Sequence, residues 1–362
     1  MPDTLDMLSL LTAERPPCHR AAWRDGKSVR HEEFLARVRA WRALLRRACG
    51  QTFALHIDDS LEFAAALFGA WQAGKTLYLP GDKLPATCGE LRQTVDGFLG
   101  EFAPEWCPLA PKPEDATFDT DGFHRLDPDF VGLVLYTSGS TGAPQAIAKK
   151  LSQMAVEVAT LESQFGDLVG ASDVVATVSH QHIYGLLFKV LWPLAAGRAI
   201  HTRSFSFLEE LTAAPAERDC LLVSSPAHLK RLPENPAWAA ASQRLTAVFS
   251  SGGPLPFEVA RATERLLGLT PIEVYGSSET GGVAWRRQQA NDEAWTPFAG
   301  VRQLAAPAGG RHDEGGDALA PPVQHEHAGI AHHGRRLELS FDRVERYPLL
   351  LDFYDSIDAP AQ

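Results

Sequence analysis

The sequence predicts an α/β fold, in which largely parallel strands are flanked by helices. Strand-like apolar runs and helical patterns alternate over short links, as in residues 53–57, 61–73 and 77–80. Several later apolar runs end in polar or glycine-rich turns. The chain has 362 residues, of which 45% are apolar, so it can bury a substantial core and form two or more subdomains.

The first part of the chain contains one amphipathic helix and two strand candidates. Phe34, Val38, Trp41 and Leu45 recur at helical intervals and predict a helix over 32–48, whose arginine-rich face is expected to be solvated. A strand over 53–57, a helix over 61–73 and a strand over 77–80 follow. The proline- and acid-rich stretch 104–129 predicts a connection, so we place one subdomain at 1–128 and a second at 129–298.

The second part continues the alternation. The apolar run 130–135 predicts a buried strand, and a helix is expected over 151–165. Further strands are predicted at 174–178, 220–223, 247–249 and 272–274. Ligands of open α/β sheets gather outside the carboxyl ends of the strands. The polar turns that follow these strands are therefore expected to surround one cleft.

Composition argues against several classes of partner. The net charge of −11 and the lack of an extended basic patch disfavour nucleic acid or an anionic membrane as a partner. The longest apolar stretch, 183–196, is interrupted by Lys189 and Pro193 and is too short to span a bilayer. No secretory signal is expected, and five cysteines without a Cys-x-x-Cys pair predict a reduced, cytoplasmic protein.

Residues 136–144 read Tyr-Thr-Ser-Gly-Ser-Thr-Gly-Ala-Pro and leave the predicted strand 130–135. Glycines and hydroxyl residues at such a position form a loop whose N–H and O–H groups can converge on a phosphate. The common nucleotide loop is excluded because Gly142 is not followed by Lys and Ser or Thr. A surface turn rich in Ser, Thr and Gly is the alternative. The candidate phosphate-binding residues are Thr137, Ser138, Gly139, Ser140, Thr141 and Gly142.

This loop resembles the phosphate loop of the AMP-forming, adenylate-forming superfamily, which includes acyl- and aryl-CoA synthetases, peptide-synthetase adenylation domains and luciferases. The resemblance implies mixed, largely parallel sheets with flanking helices in two packed subdomains, ATP or AMP as ligand, and Mg²⁺. The family loop usually continues with lysine, where this chain has Gln145. Lys149 and Lys150 are alternative sources of positive charge.

Residues 275–282 carry the second motif, Tyr-Gly-Ser-Ser-Glu-Thr-Gly-Gly, directly after a predicted strand. It is similar to the family element Tyr-Gly-x-Thr-Glu. The resemblance implies that Tyr275 and Gly276 line the adenine site, that Ser278 contacts the α-phosphate or the substrate carboxylate, and that Glu279 holds Mg²⁺. A carboxylate suits a hard cation, and an aromatic face suits a flat base. The alternative is a loop with an exposed glutamate.

Residues 179–186 contain the third motif, which resembles the His-x-x-Gly segment of acyl- and aryl-CoA synthetases through His182 and Gly185. This resemblance implies that His182 lines or gates an acid pocket, whereas a packed or surface histidine is the alternative, and His180 is interpreted as a neighbour. The turn containing Gly252 and Gly253 resembles the family turn beside the adenine. Tyr184, Val283 and Trp285 are candidates for an apolar acid pocket, with core packing as the alternative.

Similarity covers roughly residues 21–297, so 299–362 are interpreted as a reduced or atypical β-subdomain or tail. Asp342 is a weak candidate for the family's ribose-binding aspartate. Residues 305–336 lack alternating apolar strands and contain five histidines, for which a disordered tail and a shifted reading frame are two hypotheses. The catalytic lysine of the family's C-terminal domain has no counterpart, since the last lysine is Lys230. We therefore expect the large N-terminal domain of the family without its C-terminal domain.

The predicted activity is ATP-dependent activation of a fatty or aromatic carboxylic acid to an acyl-adenylate. CoA or a carrier-protein thiol would be the next acceptor, with a carrier protein or a separate C-terminal domain as partner. The alternative is a degenerate family member that binds nucleotide or acyl-adenylate without completing catalysis.

Overall fold

The computed structural model of the chain describes residues 6–137, 145–205, 208–212, 218–291 and 294–301. Residues 138–144 of the predicted phosphate loop, Asp342 and the histidine-rich stretch lie outside the described residues. In the described part of the chain, none of the helices combines the length and apolar character needed to cross a membrane.

The described residues form strands and helices that alternate over most of the chain. The strands are β1 (Arg20–Arg24), β2 (Lys27–Arg30), β3 (Thr52–His56), β4 (Thr76–Pro80), β5 (Gly97–Gly100), β6 (Val131–Thr137), β7 (Gln145–Lys150), β8 (Asp173–Ala176), β9 (Ile200–His201), β10 (Cys220–Ser224), β11 (Leu245–Ser250), β12 (Ile272–Ser277), β13 (Gly281–Arg287) and β14 (Thr296–Pro297). The helices are α1 (His31–Arg47), α2 (Ser60–Gln72), α3 (Pro85–Leu91), α4 (Leu151–Val169), α5 (Ile183–Gly185), α6 (Trp192–Ala195), α7 (Pro226–Leu229), α8 (Trp238–Ala241) and α9 (Phe257–Leu267). A π-helical segment, Leu186–Leu191, connects α5 to α6, and 3₁₀ turns lie at Met7–Ser9, Pro104–Trp106, Pro113–Phe118, Leu208–Thr212 and Ser242–Arg244.

Two sheets organise these elements. The smaller sheet has five strands in the order β5-β3-β4-β6-β7, and the larger has nine in the order β14-β13-β12-β11-β10-β8-β9-β1-β2. Neighbouring strands are parallel except at β6–β7, β1–β2, β12–β13 and β13–β14. The predicted α/β class with mixed, largely parallel sheets is confirmed.

Sheet membership does not follow the order of the chain. The β1–β2 hairpin joins the larger sheet through the pairing of β1 with β9, whereas the β6–β7 hairpin joins the smaller sheet through the pairing of β6 with β4. The subdomain boundary at residue 128 stays a prediction. Each of the two sheets contains strands from before and from after this residue. One hydrophobic core, which includes Phe53 of β3, Phe165 of α4 and Phe249 of β11, extends from one sheet to the other.

Helix α1 forms where it was predicted. Glu33 accepts a hydrogen bond from the Arg30 N–H at the start of the helix (2.9 Å), and the two arginines of its last turn favour the negative end of the helix dipole. The expectation of a solvated arginine face is wrong for Arg42, which is fully buried and forms a bidentate ion pair with Asp119. This pair fixes the proline- and acid-rich connection onto α1, because the buried guanidinium needs a carboxylate partner.

The π-helical segment contains Lys189, whose side chain is fully buried and donates a hydrogen bond to Ser204 Oγ (2.9 Å). Burial lowers the pKa of Lys189 to about 7, and the charges of Asp58 and Asp59 oppose the shift. The unfolded chain retains the ordinary value of 10.5, so it binds more protons than the native state between these two pH values. The free energy of unfolding should therefore rise with pH across that window.

We expect Lys189→Met to stabilise the protein more at pH 6 than at pH 9, by about 1–3 kcal/mol, because methionine fills similar space without a buried charge. Urea denaturation of both proteins at the two pH values measures the difference. Ser204 keeps its own bond to the Val178 carbonyl (2.9 Å), so the substitution leaves that hydroxyl paired. An equal change at both pH values would contradict the burial of a titrating ammonium.

Candidate functional site

The predicted phosphate loop is the connection of a hairpin. Strands β6 and β7 are antiparallel, and Thr137 lies opposite Gln145. Residues 138–144 therefore join the carboxyl end of β6 to the start of β7. Of the six predicted phosphate-binding residues, the structure describes only the backbone of Thr137, and the other five lie outside the described residues. The structure does define the positions of β6 and β7, the two strands that the loop connects.

The second motif forms a tight turn between β12 and β13. Gly276 lies opposite Gly282, and a Cβ on Gly276 would come within 2.3 Å of the Gly281 carbonyl oxygen, so only glycine fits there. Ser277 and Thr280 close the turn, because each backbone N–H donates to the other hydroxyl at 3.2 Å. Ser278 is half-buried and Glu279 is exposed at the tip. The carboxylate of Glu279 is therefore open to a cation in solution, while hydrogen bonds across the turn hold the backbone that carries it.

Lys149 of β7 connects this turn to the hairpin of the phosphate loop. Its ammonium donates to the backbone carbonyl of Glu279 at 3.0 Å, although the side chain is only 6% exposed. Burial lowers the pKa of Lys149, and the charges of Glu157 and Glu279 oppose the shift. The carboxylate of Glu157, on α4, accepts the Gly282 N–H at 3.1 and 3.2 Å. The tip of the turn and the start of β13 are thus held from the strand and the helix that follow the phosphate loop.

Lys149 and Lys150 serve different purposes. Successive side chains of a strand point to opposite faces, so the two lysines diverge. Lys150 is half-exposed and pairs with Asp129 at 2.9 Å. Lys149 is occupied by the Glu279 carbonyl, and in this structure it contacts the turn of the second motif. The sequence points to Lys149 only as nearby charge, because its contact with Glu279 joins residues 130 positions apart.

At the predicted adenine site, the turns that follow β11 and β12 lie next to each other. Strands β11 and β12 are parallel neighbours, and Ser251 Oγ donates to the Val274 carbonyl at 2.8 Å, next to Tyr275. Gly252 has a φ of +87°, which favours glycine, and a Cβ at this position would meet nothing within 4 Å. The half-buried Tyr275 ring lies 5.6 Å from the Trp295 ring, centroid to centroid. The structure therefore places Tyr275, Gly252 and Gly253 together at the carboxyl ends of the neighbouring strands β11 and β12.

His182 lies on the segment that follows β8. Its ring is exposed, and its Cε1 would lie 3.4 Å from a Cβ on Gly81, just beyond β4. Surrounding protein lowers the pKa of His182, and the charge of Asp82 opposes the shift. Gly185 cannot be replaced easily, because a Cβ would come within 2.0 Å of the Ser179 carbonyl oxygen. In the His-x-x-Gly motif the glycine is thus a packing residue, and the exposed histidine lies beside the turn after β4.

His180 is more than a neighbour, because it anchors this segment to the smaller sheet. The residue is 2% exposed, its Nε2 lies 2.7 Å from the Ile57 carbonyl, and its Nδ1 lies 3.0 Å from Ser60 Oγ. A carbonyl only accepts, so Nε2 carries the proton and Nδ1 accepts from the serine. Burial holds the pKa of His180 well below its usual value, which keeps this neutral tautomer. The ring also packs against Phe63, with centroids 4.4 Å apart.

The candidates for the acid pocket border an aromatic cluster. The Tyr184 and Phe188 rings are 4.8 Å apart, Phe188 and Phe249 are 5.1 Å apart, and Phe165 lies 5.5 Å from Trp285. Trp285 Nε1 and the Oγ of the fully buried Ser250 have no hydrogen-bond partner in the described part of the chain. Buried polar atoms are normally paired. These two atoms are therefore exceptions within the cluster.

Comparison with known proteins gives a consistent picture. Residues 90–304, more than half of the chain, match the family model described as AMP-binding enzyme. A 4-coumarate–CoA ligase from Rhodobacter capsulatus is 35% identical over 178 residues, which are 46% of this chain and 42% of that protein. A probable 2-succinylbenzoate–CoA ligase from Mycobacterium tuberculosis is 30% identical over 204 residues, which are 54% of this chain and 49% of that protein. The chain thus spans less than half the length of these curated relatives.

Solved structures share the fold at low sequence identity. Apo MatB from Rhodopseudomonas palustris superposes with a TM-score of 0.70 at 16% identity, covering 82% of this chain and 65% of that one. The o-succinylbenzoate CoA synthetase MenE from Bacillus subtilis gives a TM-score of 0.69 at 16% identity, covering 84% and 66%. The family model and these folds agree with the resemblance of the three motifs, and the chain belongs to the AMP-binding enzyme family of adenylate-forming proteins.

Proposed function

We propose that this protein uses ATP to convert a carboxylic acid to an acyl-adenylate. The observation that carries the proposal is the contact between Lys149 and Glu279, which places the predicted metal-binding turn against the hairpin that carries the phosphate loop. A triphosphate held by the loop would then be within reach of Ser278 and Glu279 on the turn. Membership in the AMP-binding enzyme family and relatives named as CoA ligases support the same chemistry.

The residues present suit ATP and Mg²⁺. Glu279 would hold the Mg²⁺ ion, whose charge neutralises phosphate oxygens when it is bound, and Ser278 would donate to the α-phosphate or the substrate carboxylate. The ring of Tyr275 would pack against adenine, with Gly276, Gly252 and Gly253 allowing close backbone approach. Thr137 and the loop residues would hold the phosphates through N–H and O–H groups.

The reaction requires mainly positioning and neutralisation of charge. An oxygen of the substrate carboxylate attacks the α-phosphorus, the bond to the bridging oxygen breaks, and pyrophosphate leaves with its electron pair. His182 would border the acid and exclude water from it. The product acyl-adenylate would then react with the thiol of CoA, as the names of the relatives suggest, or of a carrier protein.

The substrate class that we favour is an aromatic or other largely apolar acid. The named relatives act on 4-coumarate and 2-succinylbenzoate, which are both aromatic acids. The aromatic cluster around Phe188 and Phe165, with the unpaired Nε1 of Trp285 at its border, suits a flat apolar ligand that has one polar group.

Exchange of labelled pyrophosphate into ATP tests the proposal directly, because it requires only the first half-reaction. The panel should include 4-coumarate, cinnamate, 2-succinylbenzoate and medium-chain fatty acids, with a reaction that lacks acid as the control. We expect exchange with at least one acid and none without acid. Tight binding of ATP without exchange for any acid would instead support the degenerate, binding-only alternative, which the presence of Gln145 in place of the family lysine favours.

A further inference from the structure

A second cluster of ligand-forming side chains lies outside the nucleotide site, at the carboxyl edge of the smaller sheet. His56 is the last residue of β3, Asp58 follows two residues later, and Glu101 comes directly after β5. Strands β3 and β5 are parallel, with His56 opposite Gly100, so both chain segments leave the sheet at one edge. One ligand atom from each of the three side chains lies within 4.8 Å of the others.

The backbone holds this arrangement in place. The Glu101 N–H donates to the His56 carbonyl at 2.7 Å, and the Asp58 N–H donates to a Glu101 carboxylate oxygen at 3.2 Å. The His56 ring packs edge-on against Phe102, with centroids 6.0 Å apart. The imidazole is thus fixed by the core, whereas the two carboxylates are on exposed side chains that can adjust.

An unpaired buried nitrogen points to a missing ligand. His56 is only 8% exposed, and its Nδ1 has no hydrogen-bond partner in the described residues, although it lies 3.8 Å from an Asp58 carboxylate oxygen. Burial lowers the pKa of His56. Burial and the charge of Asp58 raise the pKa of Glu101.

We propose that His56, Asp58 and Glu101 bind one divalent transition-metal ion, with zinc as the ion that suits them best. Zinc binds both imidazole nitrogen and carboxylate oxygen, and three protein ligands leave a fourth position for water. Imidazole favours such ions over Mg²⁺ and Ca²⁺, which prefer oxygen ligands. Zinc–ligand distances of about 2.0–2.2 Å require the carboxylates to move inward by roughly 1 Å.

Lys83 competes with the ion for Asp58, so its replacement should change the affinity for zinc in the opposite direction from the loss of a ligand. Its ammonium lies 3.8 Å from the second carboxylate oxygen of Asp58 and supplies part of the positive charge that the cluster attracts. Replacing the lysine removes this competitor, whereas neutralising Glu101 removes a ligand. An adventitious surface site elsewhere on the protein would respond to neither change.

Zinc chloride titrated into the 362-residue protein against a chromophoric chelator measures the number and affinity of the bound ions. We expect Glu101→Gln to lower the affinity for one zinc ion by at least about 10-fold, and Lys83→Met to raise the affinity for the same ion. The matched control is Glu105→Gln, an exposed glutamate in the 3₁₀ turn Pro104–Trp106, and it should bind zinc like the wild type. Zinc bound by the histidine-rich stretch is common to all four proteins, so the differences isolate this cluster. Circular dichroism establishes that each variant is folded.

Crystals soaked in zinc provide the structural readout, through an anomalous peak between His56 Nδ1 and the Asp58 and Glu101 carboxylates. Such a peak together with the two opposite shifts in solution would support the site. Identical titrations for all four proteins would overturn it, even if a peak were present, because this would be binding at crystal concentration only.

Discussion

Replacing Glu279 with glutamine is expected to lower acid-dependent pyrophosphate exchange by at least about 100-fold. The substitution keeps the shape of the side chain but removes the charge that would hold Mg²⁺, and loss of one well-placed electrostatic group costs about 10²–10³ in rate. The fold should not change, because the side chain is exposed and the turn is closed by Ser277, Thr280 and the backbone carbonyl of Glu279. Exchange rates and thermal melting of the two proteins measure both effects.

Glu258 provides the matched control, because it is an exposed glutamate in the first turn of α9. The variant Glu258→Gln should exchange pyrophosphate at the wild-type rate. If Glu279→Gln retained exchange within about fivefold of the wild type, at saturating and at limiting Mg²⁺, then Glu279 would not be the metal ligand, and the interpretation of residues 275–282 would be wrong.

Replacing Lys149 with methionine is expected to reduce exchange by about 10- to 100-fold without removing any group that contacts the reacting atoms. The ammonium holds the Glu279 carbonyl at 3.0 Å, and a shift of about 1 Å in a catalytic group is enough to cost 10²-fold in rate. Methionine fills similar buried space, so the hairpin should stay packed. The loss should appear in the maximal rate more than in the apparent affinity for ATP, since the turn is misplaced but its side chains are all present.

The neighbouring Lys150→Met is a sharp control, because it removes the same charge one residue away. Lys150 is half-exposed and pairs only with Asp129 among the contacts described, so this variant should have wild-type exchange. Equal losses for the two variants would indicate a general effect of positive charge on ATP. Equal retention of activity would show that the Lys149–Glu279 contact has no influence on catalysis.

The strands and helices of the α/β core could be predicted from the sequence because their apolar runs are long and regular. The helix predicted over 151–165 is α4, Leu151–Val169, and the strand predicted over 53–57 is β3, Thr52–His56. The hairpin β1–β2 was not predicted, although its turn at Asp25 and Gly26, both with positive φ, is a common hairpin signal. Strand β7 was also missed, since its exposed and charged residues lack an apolar pattern.

Motifs gave the candidate site residues, but the contacts between the segments that carry them are not local. The sequence places Glu279 in a turn and Lys149 near a loop, and only the fold shows that they meet across 130 positions. The same holds for His180, whose bonds to Ile57 and Ser60 join segments more than 100 residues apart. Sheet membership is a further example, because local patterns do not determine that β6 pairs with β4 while β1 pairs with β9.

The central claim is that the turn 275–282 and the loop 138–144 bind the same triphosphate. A crystal structure of the protein with Mg²⁺ and a non-hydrolysable ATP analogue tests it most directly. We expect adenine against the Tyr275 ring, the metal on the Glu279 carboxylate, and the α-phosphate between Ser278 and the loop. A nucleotide bound elsewhere, with Glu279 in solvent and Ser278 without a phosphate contact, would contradict it.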